Sequence, residues 1–179
     1  MGHALEPAAS GRAKCRACGD KIEKGRLRFG ERLPNPFADE GDATYWFHPE
    51  CAAYRRPEPF LEVLDDDEVE AEHRASVPPE LRLEAQRGVD QRRLPRLAGA
   101  ERASSGRASC RSCKESIAKD SWRLRIAFWD EGMFRPGGFV HASCARDYCE
   151  GEVDLARIRR FSPELGDEGA ADLGEALAT

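Results

Sequence analysis

The chain of 179 residues has little apolar material and no long apolar run. Aromatic residues make up only 8% of it, charged residues make up 34%, and the mean hydropathy is -0.65. No stretch approaches the roughly 18 to 20 apolar residues that a membrane helix requires, and residues 1–12 lack the apolar core of a secretory signal. We therefore expect a soluble intracellular protein without membrane contacts, located in the nucleus or in the cytoplasm or nucleoid, depending on the source. One large hydrophobic core is also excluded, and two small domains fit the composition better.

Cysteine is present in an odd number, seven, so that a complete set of disulfide pairs is excluded. Domains of roughly 45 to 60 residues seldom bury enough apolar surface to be stable alone, and a metal or a disulfide usually cross-links them. In a reducing compartment, closely spaced cysteines are interpreted as metal ligands before disulfides. The cysteines therefore predict metal sites.

An internal repeat organises these cysteines. A shift of 95 positions places residues 11–28 on residues 106–123, and nine of the eighteen pairs are identical. A second agreement follows where Trp46-Phe47-His48 corresponds to Phe139-Val140-His141. The same structural unit therefore occurs twice, with a loop of altered length inside it.

Each repeat offers three thiolates and one imidazole at matching positions. Two residues separate the members of each close pair, and 29 or 27 residues separate the pairs. A two-residue spacing lets a tight turn aim both side chains at one ion, and a full set of four ligands leaves no coordination position for a reactive water. The alternative is that a cysteine pair is simply buried. We predict two structural Zn²⁺ ions, held by Cys15, Cys18, His48 and Cys51 and by Cys110, Cys113, His141 and Cys144.

The formal net charge of -5 is unevenly distributed. The cysteine-bearing segments 12–57 and 107–149 each carry +3, whereas segments 58–106 and 150–179 each carry -5. Because a nucleic-acid backbone responds to local potential within a Debye length of roughly 8 to 10 Å, the two basic segments permit DNA binding despite the acidic total.

The pattern along the chain predicts small α+β zinc-stabilised domains in tandem. Alternating apolar and charged residues predict strands over Leu27–Phe29 and Trp122–Phe128, and short helical turns are expected from Cys51 and Cys144. The predicted boundaries are a flexible N-terminus at 1–10, a first domain at 11–64, an acidic linker with a helix over 80–94 at 65–104, a second domain at 105–165, and a disordered acidic tail at 166–179.

The quoted residues resemble the zinc finger of poly(ADP-ribose) polymerases (PARP), which also occurs on a eukaryotic nick-sealing DNA ligase. Residues 105–121 resemble the opening of that family's first finger, and residues 18–25 resemble its second, so that the order is reversed. The resemblance implies tandem PARP-type fingers that recognise nicks, strand breaks or DNA ends independently of sequence, with repair or ligation proteins as possible partners.

The resemblance also implies DNA contacts. Basic residues of both repeats would bind phosphates, namely Arg12, Arg28, Arg107 and Arg123 together with Lys24 and Lys119. The family's base-stacking loop precedes the histidine, where Met133 and Phe134 match its Met-Phe step. The first repeat departs from the pattern there and offers Phe37 and Leu33. The alternative is that Phe134 is a core residue and that the arginines form a solvated face.

Three functions are compatible with this sequence. The first is a DNA-break-binding module without enzymatic activity, since no nucleotide-binding loop or catalytic triad pattern is present and the family's catalytic domain exceeds the space in the linker and tail. The second is a zinc-stabilised protein-protein interaction adaptor, although RING and LIM proteins place their two zinc sites closer together. The third is a module that targets an enzyme on another chain to breaks.

Overall fold

The computed structural model describes residues 2–35, 41–130, 133–150 and 153–178. The chain divides into unit 1, residues 1–91, and unit 2, residues 92–179. Each unit contains one three-stranded antiparallel sheet in which the strands are neighbours in chain order. None of the helices in the described ranges is long and apolar enough to span a membrane.

Unit 1 places its sheet before its helices. The strands are β1 (Ala4–Pro7), β2 (Leu27–Pro34) and β3 (Asp42–Phe47). The helices are α1 (Pro49–Arg55), α2 (Pro57–Asp65), α3 (Ala71–Ala75) and α4 (Pro79–Asp90). Three of these helices begin with proline, whose fixed φ suits the first helical position and whose missing N–H is not needed there.

Aromatic side chains form the core of unit 1 between the sheet and the helices. Phe29 of β2 is fully buried, and its ring meets Phe60 of α2 edge to face at 5.7 Å and Phe47 of β3 at 6.0 Å. Because residues alternate faces along a strand, Arg28 and Gly30 point to the opposite side of β2. One side of the sheet therefore carries the core, and the other carries the arginine.

Unit 2 repeats the sheet and adds a different set of helices. Its strands are β4 (Arg96–Arg102), β5 (Trp122–Asp130) and β6 (Met133–His141). The helices are α5 (Ala145–Tyr148), α6 (Leu155–Arg160) and α7 (Gly166–Ala178), with a 3₁₀ turn at Pro163–Leu165. Leu124, Ile126 and Val140 of the sheet pack with Ile158 of α6 and Leu173 of α7 in one core cluster.

The strands and helical turns around the cysteines confirm the prediction. The predicted strands lie inside β2 and β5, and the turns predicted after Cys51 and Cys144 are α1 and α5. The helix expected over 80–94 is α4, which ends earlier, at Asp90.

Three predictions of disorder or of a linker are wrong. Residues 1–10 contain β1, because Leu5 is buried and the strand pairs with β2. Segment 65–104 is divided between the units, since α4 packs on α1 and α2 while Arg96–Arg102 forms the edge strand of the second sheet. The tail predicted to be disordered at 166–179 contains α7. Ala170 and Leu173 lie three positions apart on one face of this helix, and both are buried.

Candidate metal centres and nucleic-acid interface

Two clusters of cysteine and histidine lie at corresponding places in the two units. Each contains the four predicted ligands: Cys15, Cys18, His48 and Cys51 in unit 1, and Cys110, Cys113, His141 and Cys144 in unit 2. Within each cluster, the candidate ligand atoms all lie within 4.8 Å of one another. Three thiols and one imidazole at this separation suit a tetrahedral Zn²⁺ ion, for which Zn–S is about 2.3 Å and Zn–N about 2.0 to 2.1 Å.

The turn that carries the first two cysteines has the same backbone geometry in both units. The N–H of Gly19 donates to the carbonyl of Cys15 at 2.8 Å, and the N–H of Lys114 donates to the carbonyl of Cys110 at 3.0 Å. Both turn residues have positive φ, 84° at Gly19 and 69° at Lys114. Glycine adopts this conformation freely, whereas lysine adopts it at a cost. The second unit therefore keeps the turn even where its sequence disfavours it.

The ligand histidines are oriented by the same backbone contact in both units. His48 Nε2 lies 3.3 Å from the carbonyl oxygen of Lys21, and His141 Nε2 lies 3.3 Å from that of Ser116. A protonated Nε2 donates to this carbonyl and leaves Nδ1 for the metal. Nδ1 indeed faces the thiols, at 3.5 Å from Cys18 Sγ and 3.4 Å from Cys113 Sγ.

In the first cluster, the ionisable groups lie so close together that the thiols cannot all be deprotonated unless a cation is present. Hydrogen bonds from Cys18 and Cys51 hold the pKa of Cys15 far below its usual range. Hydrogen bonds with Cys15 and Cys18 raise the pKa of His48 to about 10 and raise the pKa of Cys51 well above its usual range. A divalent cation among these atoms removes the conflict, because it stabilises several thiolates at once.

The second cluster shows the same competition in a more open setting. Burial raises the pKa of Cys110, but backbone hydrogen bonds from His141, Cys113 and Ser112 outweigh it and bring this pKa to about 7. Burial and the charge of Cys110 raise the pKa of Cys144 to about 11. All three cysteines of the first cluster are buried, whereas Cys113 is exposed and Cys144 is half-buried. The two centres therefore share their ligands but differ in access.

The basic residues predicted to contact phosphates fall into two groups. Arg12 and Lys24 in unit 1 and Arg107 and Lys119 in unit 2 are exposed. In the described part of the chain, these four side chains form no ion pair and no side-chain hydrogen bond.

Arg28 and Arg123 form the second group, because each is enclosed within its own unit. Arg28 Nη2 is 2.6 Å from Glu6 Oε1, and Arg123 Nε is 3.0 Å from Glu101 Oε1. Only 11% of the Arg28 side chain and 9% of the Arg123 side chain are exposed. Both guanidinium groups are therefore enclosed in the free protein, and their predicted phosphate contacts stay a prediction.

The predicted stacking residues of unit 2 are enclosed to different degrees, and their role at a DNA break stays a prediction. The Phe134 ring is only 5% exposed, lies edge to face with Trp129 at 5.2 Å and has the Arg96 guanidinium 5.0 Å from its centre. This ring is packed inside unit 2, as the alternative interpretation proposed, because Phe134 is directly opposite Trp129 in the β5–β6 register. Met133, at the start of β6, is half-buried.

In unit 1, the described residues include only part of the corresponding loop. Leu33, near the end of β2, is half-buried. Phe37 lies outside the described residues, so its predicted stacking role stays a prediction.

Sequence reasoning missed a repeated exposed arginine beside each metal turn. The N–H of Arg16 donates to the carbonyl of Trp46 at 2.8 Å, and the N–H of Arg111 donates to that of Phe139 at 2.9 Å. Each guanidinium lies over an aromatic ring, at 5.5 Å from the centre of Tyr45 and 5.1 Å from that of Phe128. Identity of the two arginines in the repeat was the signal that could have identified them.

The fold and the clusters define a class of protein, a pair of small α+β domains that each fit one structural zinc ion with a Cys₃His ligand set. Residues 6–91 match the family model of the poly(ADP-ribose) polymerase and DNA ligase zinc-finger region. The chain belongs to the PARP-type zinc finger proteins.

Relatives extend this similarity beyond unit 1. The chain is 30% identical to a poly[ADP-ribose] polymerase of Sarcophaga peregrina over 96% of its own length and 21% of that protein. It is 31% identical to a poly[ADP-ribose] polymerase of Drosophila melanogaster over 70% of the chain and 14% of that protein. It is also 27% identical to poly[ADP-ribose] polymerase 1 of Gallus gallus over 66% and 13%, respectively. The chain therefore spans about a fifth or less of the length of these curated relatives.

Proposed function

We propose that this protein binds nicked or broken duplex DNA without sequence preference. Basic side chains of both units would contact phosphates, and an apolar side chain would stack on the base that the break exposes. The exposed basic residues that recur at the same positions in the two units carry this proposal. Family membership supports this proposal, because residues 6–91 match the model of the poly(ADP-ribose) polymerase and DNA ligase zinc-finger region.

The recurring basic residues are brought together by the fold. A Cβ atom built on Gly11 would lie 3.7 Å from the backbone nitrogen of Lys24, and one built on Gly106 would lie 3.9 Å from that of Lys119. Arg12 and Arg107 directly follow these glycines. An arginine and a lysine thus leave adjacent backbone segments in each unit, which is a suitable arrangement for two neighbouring phosphates.

Phosphate contacts of this kind supply affinity and position but carry no information on base sequence. Discrimination of a break from intact duplex requires contact with a base face that only the break exposes, and stacking there contributes about 1 to 3 kcal/mol per base. Met133 and Leu33, both half-buried beside the hairpin loops, are the apolar candidates among the described residues.

A titration of the full chain against intact, nicked and blunt duplexes of one sequence tests the proposal. We expect tighter binding to nicked or blunt DNA than to an intact circular duplex of the same sequence. Arg12→Gln and Arg107→Gln should weaken binding to every duplex, whereas the control Arg93→Gln, an exposed arginine of unit 2 outside the repeat, should not. Equal affinity for nicked and intact DNA would refute break recognition.

We further propose that the chain acts as a binding module that recruits repair or ligation proteins rather than as a catalyst. Each zinc ion would have four protein ligands, which leaves no position for an activated water. The corresponding test is incubation of the zinc-loaded protein with nicked DNA, in which we expect the nick to be neither sealed nor extended into a double-strand cut.

A protein-interaction adaptor is the second candidate function. The acidic run over 65–72 lies on the surface of unit 1, where most of its carboxylates are exposed. Some are neutralised locally, since Asp65 pairs with Arg82 at 2.9 Å and Asp67 with Arg74 at 3.2 Å. A basic partner protein would contact the remaining ones. Absence of salt-dependent DNA binding, together with capture of a basic partner that fails when the exposed Glu68 and Glu72 are replaced by Gln, would favour this function.

A further inference from the structure

Arg102 of unit 2 lies beside the chain segment that carries Lys119, one of the proposed phosphate-binding residues. Arg102 is the last residue of β4, and its Nη1 donates to the carbonyl of Asp120 at 2.8 Å. Backbone hydrogen bonds hold the two segments together, since Ala103 accepts the N–H of Asp120 at 2.8 Å and donates to the carbonyl of Ser121 at 2.9 Å. Because Asp120 directly follows Lys119, a third basic side chain is placed next to this phosphate site.

The guanidinium of Arg102 is occupied by an acidic side chain of helix α7. It pairs with the carboxylate of Asp172 and lies 4.3 Å from the centre of the Trp122 ring. The same carboxylate accepts the indole N–H of Trp122 at 2.9 Å. Two donors from neighbouring strands therefore fix Asp172, and its oxygen atoms occupy the donors of Arg102 that a phosphate would use.

This cluster is specific to unit 2. Pro7 and Leu27 of unit 1 stand at the positions of Arg102 and Trp122 in the repeat. Neither proline nor leucine has a side-chain donor that could bind a carboxylate or a phosphate. The additional arginine of unit 2 therefore occurs together with the tryptophan that helps to cover it.

Helix α7 brings only negative charge to this edge of the sheet. Its four ionisable residues are all acidic, namely Asp167, Glu168, Asp172 and Glu175. Burial of Leu173 fixes the helix on the core of unit 2. The ion pair itself is half-exposed, with 49% of the Arg102 side chain and 50% of the Asp172 side chain accessible. Exposed ion pairs contribute little to stability, so unit 2 does not depend on this pair for its fold.

We propose that Arg102 is a third phosphate-binding residue of unit 2 and that helix α7 masks it. Asp172 holds the guanidinium in place of a phosphate, and the negative charge of the helix repels DNA phosphates from it. Neutralisation or displacement of Asp172 frees Arg102 for a contact beside Arg107 and Lys119. This inference rests on the proposed function, because it requires that these two residues bind DNA.

The substitution Asp172→Asn in the full, zinc-loaded chain tests the masking. Asparagine has nearly the same size and keeps an oxygen for the indole N–H of Trp122, but it carries no charge. We expect tighter binding to nicked DNA and a slope of log affinity against log salt that is steeper by about 0.9, because one phosphate contact is added. The gain in affinity should therefore be about 3.5-fold larger at 50 mM salt than at 200 mM salt.

Two further variants separate masking from the overall charge of the helix. Glu168→Gln is the matched control, because Glu168 is exposed one helical turn before Asp172 and its replacement removes the same charge. This control should leave the salt slope unchanged. In the double variant Arg102→Gln/Asp172→Asn, the gain should disappear and the slope should return to the wild-type value. Arg102→Gln alone should keep the wild-type slope, because a masked arginine contributes no phosphate contact.

An equal gain from Asp172→Asn and Glu168→Gln would overturn the proposal, since overall charge would then govern affinity. A gain that persists in the double variant would overturn it as well. If Asp172→Asn does not fold, Trp122→Phe decides, because phenylalanine keeps a ring but removes the N–H that fixes Asp172. A steeper slope in Trp122→Phe would support masking, and an unchanged slope would contradict it.

The wild-type titration distinguishes this inference from the proposed function. If the wild-type chain binds nicked DNA and Asp172→Asn changes neither affinity nor slope, only the masking of Arg102 fails. If the wild-type chain and the Asp172→Asn variant both bind no DNA, the proposed function fails and the masking fails with it.

Discussion

Replacement of Phe134 by alanine distinguishes a core ring from a DNA-stacking ring. Phe134 is 5% exposed and contacts Trp129 and Arg96 within unit 2, so truncation should leave a cavity. Buried Phe→Ala substitutions cost about 3 to 5 kcal/mol. Unit 2 comprises residues 92–179, and for a domain of 60 to 100 residues each kcal/mol corresponds to about 4 to 8 °C in the midpoint of thermal unfolding. The midpoint of unit 2 should therefore fall by at least about 12 °C.

The assay is calorimetry of the zinc-loaded chain, with binding to nicked DNA measured well below the transition. Phe134→Leu is the matched control, because leucine fills most of the space and should cost much less. A stacking residue would behave in the opposite way: its loss would change stability by about 0.5 kcal/mol or less and weaken binding at the break by roughly 5- to 150-fold. That combination would refute the assignment of Phe134 to the core.

Three further predictions follow from the exposure and burial of other side chains. Chelation of zinc should unfold both units. Because Cys113 is exposed, the second centre should lose its ion first. Mass spectrometry after brief chelation should therefore find the ion retained at the first centre. Equal loss from both centres would contradict this order. If Arg12, Lys24, Arg107 and Lys119 are the phosphate contacts, the salt slope should be about -3.6, which corresponds to a loss of roughly 150-fold in affinity between 50 and 200 mM salt. A slope near zero in a filter-binding titration would exclude them. Leu173→Ala should destabilise unit 2 by about 2 to 5 kcal/mol in urea unfolding, because this side chain of α7 is fully buried. A change below about 0.5 kcal/mol would mean that α7 does not pack on the core.

The metal centres could be predicted from the sequence because their chemistry is local. A two-residue spacing fixes a turn, and the duplication of Cys15 and Cys110 with their partners makes coincidence improbable as an explanation. The strands that follow were predictable for the same reason, since alternation is a property of adjacent residues.

The elements that sequence reasoning missed depend on distant partners. Strand β1 has four residues and becomes a strand only through pairing with β2, which begins twenty positions after β1 ends. Helix α7 is rich in alanine and glycine and is held by burial of Leu173 against the sheet of unit 2. Likewise, nothing local indicates that Glu101 lies beside Arg123 or that Trp129 covers Phe134. Composition alone therefore suggested flexibility where tertiary packing supplies order.

The duplication separates the parts of the unit that both copies keep from those that have diverged. Both copies retain the metal turn, the histidine contact with a backbone carbonyl, and the exposed pair of basic residues represented by Arg12 and Lys24. They differ in the hairpin loop between the second and third strands and in the helices that follow the last ligand. Because phosphates repeat along DNA and a break occurs only once, two units can bind the backbone alike while only the loop next to the break needs particular apolar side chains. Differences in function between the two units should accordingly map to their hairpin loops, and exchange of the loops between units should exchange break preference while leaving the salt dependence of binding unchanged.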